Sequence, residues 1–267
     1  MREIVLRVPA RAVEEILDRL LPIVPGGVRE VPAGDEVELR MRGATLPSLG
    51  EVALRARRWP HALSEHEVPD DWRERRLADY APDVLGDRLV VRPEWAPPAA
   101  DGLIDIALAD DLAFGSGAHP TTRAVLLEVL AAPVLGGFAD LGCGSGVVGI
   151  LAAKLGWAPV IGVELIPTSA QSARANAVRN GVEMAVEVGD LAQRPPPAVA
   201  AFAANMPVPV HVAVAATAEL ASVRWAVLSG FGAARTQEVV GAYAEAGLHA
   251  TASQELHGWM VIVLERR

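Results

Sequence analysis

Between residues 2 and 8 (REIVLRV) apolar and charged positions alternate, the period of a strand with one buried face. Pro9 and Ala10 break the alternation. From Val13 to Leu21 apolar residues recur at helical spacing, until Pro22 and the Gly26–Gly27 pair end that segment. Val28–Val31 and Val37–Met41 read as two more strands around a turn at Ala33-Gly34-Asp35, and Ser48–Arg57 as a short helix. Together they predict a small α/β unit over residues 1–60. Residues 61–100 show no sustained period, are rich in Pro and Trp, and read as a linker ending in the loop Pro-Pro-Ala-Ala at 97–100.

From residue 101 the pattern changes to short apolar runs alternating with longer helical ones. Phe138–Leu141, Pro159–Glu164, Ala185–Val188, Val199–Ala204, Trp225–Leu228 and Met260–Leu264 read as strands. Val147–Leu155, Thr168–Asn180, Val210–Leu220 and Thr236–Ala246 carry helical spacing. Such alternation predicts βαβ units and a doubly wound, mostly parallel, Rossmann-like sheet over 101–267. Ligands of these sheets bind beyond the carboxyl ends of the strands, so the chemistry is expected just after each one.

The run after the first of those strands is Asp140-Leu141-Gly142-Cys143-Gly144-Ser145-Gly146-Val147-Val148-Gly149. Glycine lets a backbone turn sharply and approach a ligand with no Cβ in the way. The helix that follows points its free N–H groups and positive dipole end at the same place. Two readings fit. Gly144, Gly146 and Gly149 satisfy the G-x-G-x-x-G dinucleotide fingerprint. Asp140 to Gly146 satisfies D-x-G-x-G-x-G, the S-adenosylmethionine loop of methyltransferases, in which the strand-end acid helps hold the ammonium end of the cofactor. Glu164 ends the second strand, where a carboxylate can accept both ribose hydroxyls of either cofactor. Asp190, after the third strand, is placed to take the adenine amino group, although Gly189-Asp190 is also an ordinary turn signal.

Composition narrows the partners. The 267 residues are 51% hydrophobic with a net charge of −9, and a single Lys, Lys154, stands among 24 basic residues. An acidic surface does not neutralise phosphates, so DNA is not an expected partner, whereas a basic protein is. Arg40, Arg42, Arg55, Arg57 and Arg58 form either a basic patch or a solvated face. The one cysteine, Cys143, permits no intrachain disulfide and no multi-cysteine zinc site. No apolar run reaches membrane-spanning length and the first residues alternate in charge, so neither a membrane span nor a secretory signal is expected, and the cytoplasm is the default.

Two further segments carry a resemblance. Residues 114–122 read Phe-Gly-Ser-Gly-Ala-His-Pro-Thr-Thr directly before a helical run, with Pro120 in its first turn, and Asn205 ends the fourth strand in Ala-Ala-Asn-Met. With Asp140–Gly146, these resemble the PrmA-type ribosomal protein methyltransferases. The likeness continues through Pro69-Asp70-Asp71-Trp72, Leu85-Gly86-Asp87-Arg88-Leu89, Arg92-Pro93-Glu94-Trp95 and the tail from Ala242 to Val263. It implies S-adenosylmethionine as cofactor and, as substrate, the eleventh protein of the large ribosomal subunit, methylated on lysine ε-amines and the N-terminal α-amine, by a monomer. The N-terminal unit corresponds in position to the family's ferredoxin-like substrate-recognition domain.

The resemblance also assigns residues. Thr122, Gly142, Glu164 and Asn205 would contact the cofactor, with Asp140, Gly144, Gly146 and Asp190 in the same pocket, and Phe114 would pack near the sulfonium. Asn205 and Phe114 would serve the methyl transfer, the Asn205 carboxamide accepting a hydrogen bond from the substrate amine. His119 reads either as a proton acceptor or as a loop residue bonded to backbone. The chain departs from the family pattern in having Ala109-Asp110-Asp111 before the signature, Ser116 and Ala118 inside it, Glu164 for the usual Asp, and Met206-Pro207-Val208-Pro209 after Asn205. A small-molecule methyltransferase and a nicotinamide-binding or non-catalytic relative are the alternative readings.

Overall fold

The computed structural model describes residues 2–24, 27–43, 45–68, 84–109, 119–256 and 258–266. They fall into two compact units, 1–81 and 82–267. In the first, strands β1 (Arg2–Pro9), β2 (Arg29–Ala33), β3 (Glu36–Gly43) and β4 (Ala62–Glu67) form an antiparallel sheet in the order β2-β3-β1-β4, with helices α1 (Val13–Leu20) and α2 (Leu49–Ala56) between them in sequence. This is the β-α-β-β-α-β arrangement of ferredoxin-like folds. Ile4, Leu6 and Val8 of β1 and Leu39 and Met41 of β3 are buried, as are Ile16, Leu20 and Val52 of the helices. The alternate residues face outward, which is the period the sequence displayed. Ser48 caps α2 in a reciprocal pair with Glu51.

The candidate basic patch is not a patch. Arg40 and Arg42 lie on the outward face of β3, paired with Glu38 (2.6 Å) and Glu3 (2.5 Å), while Arg55 belongs to α2, against the other face, and Arg58 pairs with Glu15 of α1. On the outward face Arg7 and Arg40 share Glu38, Arg7 also faces Glu36, and Arg42 pairs with Glu3, so each of these arginines has an acid beside it.

The stretch 61–100 is not connector throughout. Residues 62–67 are β4, paired with β1 from Arg2–Glu67 to Arg7–Ala62. Residues 84–93 supply β5 (Val84–Leu85) and β6 (Leu89–Pro93) of a three-stranded sheet completed by β7 (Ile104–Leu108) in the second unit. Leu85, Leu89 and Ile106 enter its core, and a bidentate pair of Arg92 with Asp105 (2.7 and 2.8 Å) ties β6 to β7 and holds the Asp105 carboxyl below its ordinary range. The part of the linker over 69–83, including Trp72, lies outside the described residues.

The larger unit is built on a seven-stranded sheet. Strands β8 (Phe138–Leu141), β9 (Val160–Glu164), β10 (Ala185–Val188), β11 (Ala201–Asn205), β12 (Trp225–Ser229), β13 (Leu248–Leu256) and β14 (Trp259–Arg266) stand in the order β10-β9-β8-β11-β12-β14-β13. The first five run parallel; β14 and β13 join antiparallel. Helices α3 (Pro120–Ala131) and α4 (Val147–Lys154) belong with one core cluster, α6 (Val208–Ala215) and α7 (Thr236–Glu245) with another, and α5 (Pro167–Arg179) gives Ala177 to the first and Ala170 and Ala173 to a small cluster with Cys143 and Val186. The helix predicted over 210–220 stops at Ala215, where the Thr217 hydroxyl donates to Val214 O (2.8 Å) and a 3-10 turn follows. Among the described residues no helix is long and apolar enough to cross a membrane.

Chain connectivity fixes where a ligand can sit. From β8 the chain winds outward to β9 and β10, then returns to the other side of β8 as β11 and continues to β12. The direction reverses between β8 and β11, the crevice in which doubly wound sheets hold their ligands. Gly142 follows β8 and Asn205 ends β11, so the two strongest motifs flank that crevice.

Candidate active site

The glycine loop is held open by its neighbours. Gly142 N and Cys143 N both donate to Val163 O (2.8 and 3.1 Å), stitching the end of β8 to β9. Gly142 and Gly146 have φ of +72° and +80°, in the left-handed region that favours glycine. A Cβ on Gly142 would stand 3.0 Å from Met206 Cγ, and one on Gly146 3.1 Å from Ala173 Cβ, so a side chain at either position would have to displace a neighbour. Gly146 also precedes α4, whose first turn faces the crevice end of β8.

Two carboxylates lie beneath this loop. Glu164, buried at the end of β9, accepts from Gly144 N and Ile166 N, both at 2.9 Å. A carboxylate has about four lone-pair positions, so it keeps capacity for a hydroxyl pair. Asp140 is also buried and accepts from Gly149 N (2.9 Å). Burial pushes its carboxyl up to about 7, the Gly149 bond opposes the rise, and the Glu164 charge adds to it. This floor is hostile to a pyrophosphate and suited to a ligand that presents a cation and a neutral sugar. The residues present therefore fit S-adenosylmethionine better than a dinucleotide. Thr122, in the first turn of α3, is 3% exposed and its Oγ1 has no hydrogen-bond partner among the described residues, an acceptor and donor that a ligand could use. Asp190 is half-buried beside Gly189, whose N–H donates to Glu164 O; its carboxylate closes its own turn, accepting from Ala192 N and Gln193 Nε2.

Across the crevice the orientation of Asn205 is fixed by a chain of hydrogen bonds. His119 caps α3, and its Nδ1 accepts from Thr121 N (3.3 Å). A backbone N–H can only donate, so Nδ1 bears a lone pair. The Thr121 hydroxyl, 2.6 Å away, must then give its one proton to the same nitrogen. Thr121 Oγ1 is left to accept, and it accepts from Asn205 Nδ2 at 3.2 Å. The amide NH2 is thereby turned toward Thr121 and the carboxamide oxygen away from it. His119 thus bonds backbone, as the second of its readings had it, and its ring stands edge-on to Trp259, centroids 6.1 Å apart.

Sequence reading missed three of these residues. Thr121 carries no role in the sequence pattern beyond its place in the signature, yet its hydroxyl links His119 to Asn205. Asn176 is fully buried on α5, donating to Ser145 O of the glycine loop (2.9 Å) and accepting from Ala109 N (2.9 Å). Asn180, one turn on, accepts from Ala107 N (2.9 Å) and donates to Ala107 O (2.7 Å). The two side chains act as a ladder for the edge of β7 that β6 does not use, and they tie it to the glycine loop. The available signal was an i, i+4 pair of asparagines, a poor helix former, in one short helix. Phe114 and the rest of the signature up to Ala118 lie outside the described residues.

Known proteins carry the same pattern. Residues 49–267 match the family described as ribosomal protein L11 methyltransferase (PrmA). The ribosomal protein L11 methyltransferase of Chromohalobacter salexigens is 33% identical over 222 residues, 76% of this chain and 73% of that protein. The enzyme of the same name from Symbiobacterium thermophilum is 33% identical over 240 residues, 86% of this chain and 77% of its own. Among solved structures, the ribosomal protein L11 methylase of Lactobacillus delbrueckii has a similar fold, with a TM-score of 0.60 at 24% identity, covering 70% of this chain and 98% of that one. On the glycine loop, the Asn205 strand end and this extent of similarity, the chain belongs to the PrmA family of ribosomal protein L11 methyltransferases.

Proposed function

We propose that this chain transfers methyl groups from S-adenosylmethionine to amine nitrogens of ribosomal protein L11, both lysine ε-amines and the N-terminal α-amine. The observation that carries the reading is the fixed polarity of Asn205, its carboxamide oxygen turned away from Thr121 at the crevice between β8 and β11. When bound, the cofactor supplies an activated methyl group, so the protein need provide no nucleophile of its own. Its task is to hold an uncharged amine in line, and such positioning is worth about 7–11 kcal/mol. Asn205 Oδ1 accepts an N–H of that amine and aims the nitrogen lone pair. An amide suits this better than a carboxylate, which would favour the ammonium form. Gly142, Gly144 and Gly146 would give the cofactor its close approach, Glu164 would accept the ribose hydroxyls, and Asp140 would face the ammonium end. Thr122 Oγ1 offers a further bond, and Asp190 would take the adenine amino group on its remaining lone pairs. Phe114 would pack against the sulfonium.

We assign substrate recognition to the ferredoxin-like unit and catalysis to the unit that follows it. The outward face of the small sheet carries a groove of about 390 Å3 between Glu3, Arg7, Glu38, Arg40, Ser64 and His66. The enzyme would work as a monomer in the cytoplasm, without DNA. The cofactor assignment is tested by calorimetric titration with S-adenosylmethionine and with NAD. Binding of the first alone is expected; binding of NAD alone would overturn it.

The same titration has an expected pH dependence. A cationic ammonium facing Asp140 favours its carboxylate, so binding below about pH 7 must release a proton. Affinity is expected to fall toward acid, by up to about tenfold per pH unit, and Asp140→Asn is expected to flatten the profile. A profile identical in the two proteins would remove Asp140 from the site. The sign for folding is the reverse. A carboxyl raised by burial favours the cofactor-free fold while protonated, and that contribution is lost as pH rises from about 4 through about 7.

A further inference from the structure

Helix α6 is apolar at every position but one (VPVHVAVA), and the exception, His211, has no exposed surface. Burying an imidazole costs desolvation that a leucine would not incur. Its Nε2 lies 2.9 Å from Ser229 O and its Nδ1 3.3 Å from the Tyr243 hydroxyl, with the rings of Phe231 and Tyr243 edge-on to it. A carbonyl only accepts, so Nε2 carries the proton and Nδ1 takes the hydroxyl proton of Tyr243. Burial lowers His211 to about 4, and the ring is neutral across the working range.

What this imidazole grips is the floor under Asn205. The ladder between β12 and β14 ends at Leu228–Ile262, so Ser229 lies beyond its last rung. Ser229 stands opposite Asn205 in the β11–β12 register, and its carbonyl also accepts from Met206 N (3.0 Å), the residue after Asn205. On the far side Gly230 is pressed against the same segment, where a Cβ would lie 2.5 Å from Met206 O. The Asn205–Met206 backbone is thus pinned to Ser229–Gly230, and His211 holds the Ser229 carbonyl from behind.

We propose that His211 is a positioning residue for methyl transfer: by donating to Ser229 O it sets the registry of the β11 and β12 ends, and with it the place where the Asn205 carboxamide receives the amine. This rests on the reading of Asn205 given above. The test measures single-turnover methylation of L11 by His211→Leu, His211→Gln and Asn205→Ala, and by His211→Leu combined with Asn205→Ala, with cofactor affinity measured alongside. His211→Leu is expected to slow transfer about tenfold with cofactor affinity within about threefold of the parent. Gln, which can donate to Ser229 O, is expected to recover most of the loss, and the double variant to be no slower than Asn205→Ala. A folded His211→Leu with parental rate, a folded Gln variant as slow as Leu, or additive losses in the double variant would each overturn the proposal. A parental rate in Asn205→Ala would instead overturn the reading of Asn205. If His211→Leu does not fold, Tyr243→Phe takes its place: a loss of about threefold supports the proposal, and an unchanged rate rejects it.

Discussion

Asn205→Ala is expected to slow methyl transfer to L11 by about 10²-fold, the scale on which misplacing a reactant by about an ångström acts. The same change is expected to weaken cofactor binding by no more than about tenfold, one net hydrogen bond. The split follows from the way Asn205 is held. Thr121 Oγ1 takes its NH2 group, and Thr121 is itself committed by the lone pair on His119 Nδ1. The oxygen is therefore pre-aimed, and removing it leaves the amine free to rotate while the glycine loop and Glu164 remain as they were. Asn205→Asp should also be slow, because a carboxylate there favours the unreactive ammonium. Rapid-quench transfer and calorimetry on the same preparations check both statements. Loss of binding in step with rate would make Asn205 a cofactor ligand only.

The largest effect on stability is expected at Gly230. Its φ is +94°, and any Cβ would meet Met206 O at 2.5 Å, Met206 N at 2.6 Å and Met206 C at 2.9 Å. These are backbone atoms at the junction of β11 and α6, so no side-chain rotation relieves the contact. Gly230→Ala is expected to cost about 3 kcal/mol or more, combining left-handed strain with displacement of packed backbone. Gly156 provides the control. Its φ is nearly the same, +95°, and nothing lies within 4 Å of its Cβ position. Gly156→Ala is expected to cost only about 1 kcal/mol, the conformational part alone. At about 2–4 °C per kcal/mol for a chain of this size, the two melting temperatures should differ by at least several degrees. Equal melting temperatures would mean that Gly230 is not pressed against Met206.

How much of this was legible depends on which side of each strand faces solvent. β8, β9, β11 and β12 are almost wholly buried and read as continuous apolar runs; their succession with helices gave the parallel core and the reversal between β8 and β11. Two further strands, both at sheet edges, were illegible for the converse reason. β4 (ALSEHE) and β13 (LHATASQEL) are exposed along most of their length, and no apolar period marks them. β5 and β6 hid within a Pro-rich stretch, and β7 follows it with one edge bonded to side chains of Asn176 and Asn180, a partnership that no strand pattern records. In the site the motif residues were visible because glycine loops and strand-end acids recur at fixed spacing. Thr121 and His211 were not, because each acts through a neighbour distant in sequence, 84 residues from Thr121 to Asn205 and 18 from His211 to Ser229.

The proposed meeting of a ribosomal-protein amine with an activated methyl group between β8 and β11 is decided by incubating the protein with methyl-labelled S-adenosylmethionine and the complete set of large-subunit ribosomal proteins from its host, then mapping the label by mass spectrometry. The expected result is label on L11, on lysine ε-amines and the N-terminal α-amine, absent with Asn205→Ala over the same interval. Label on some other protein, or on none while L11 and a cofactor-binding enzyme are present, would contradict it.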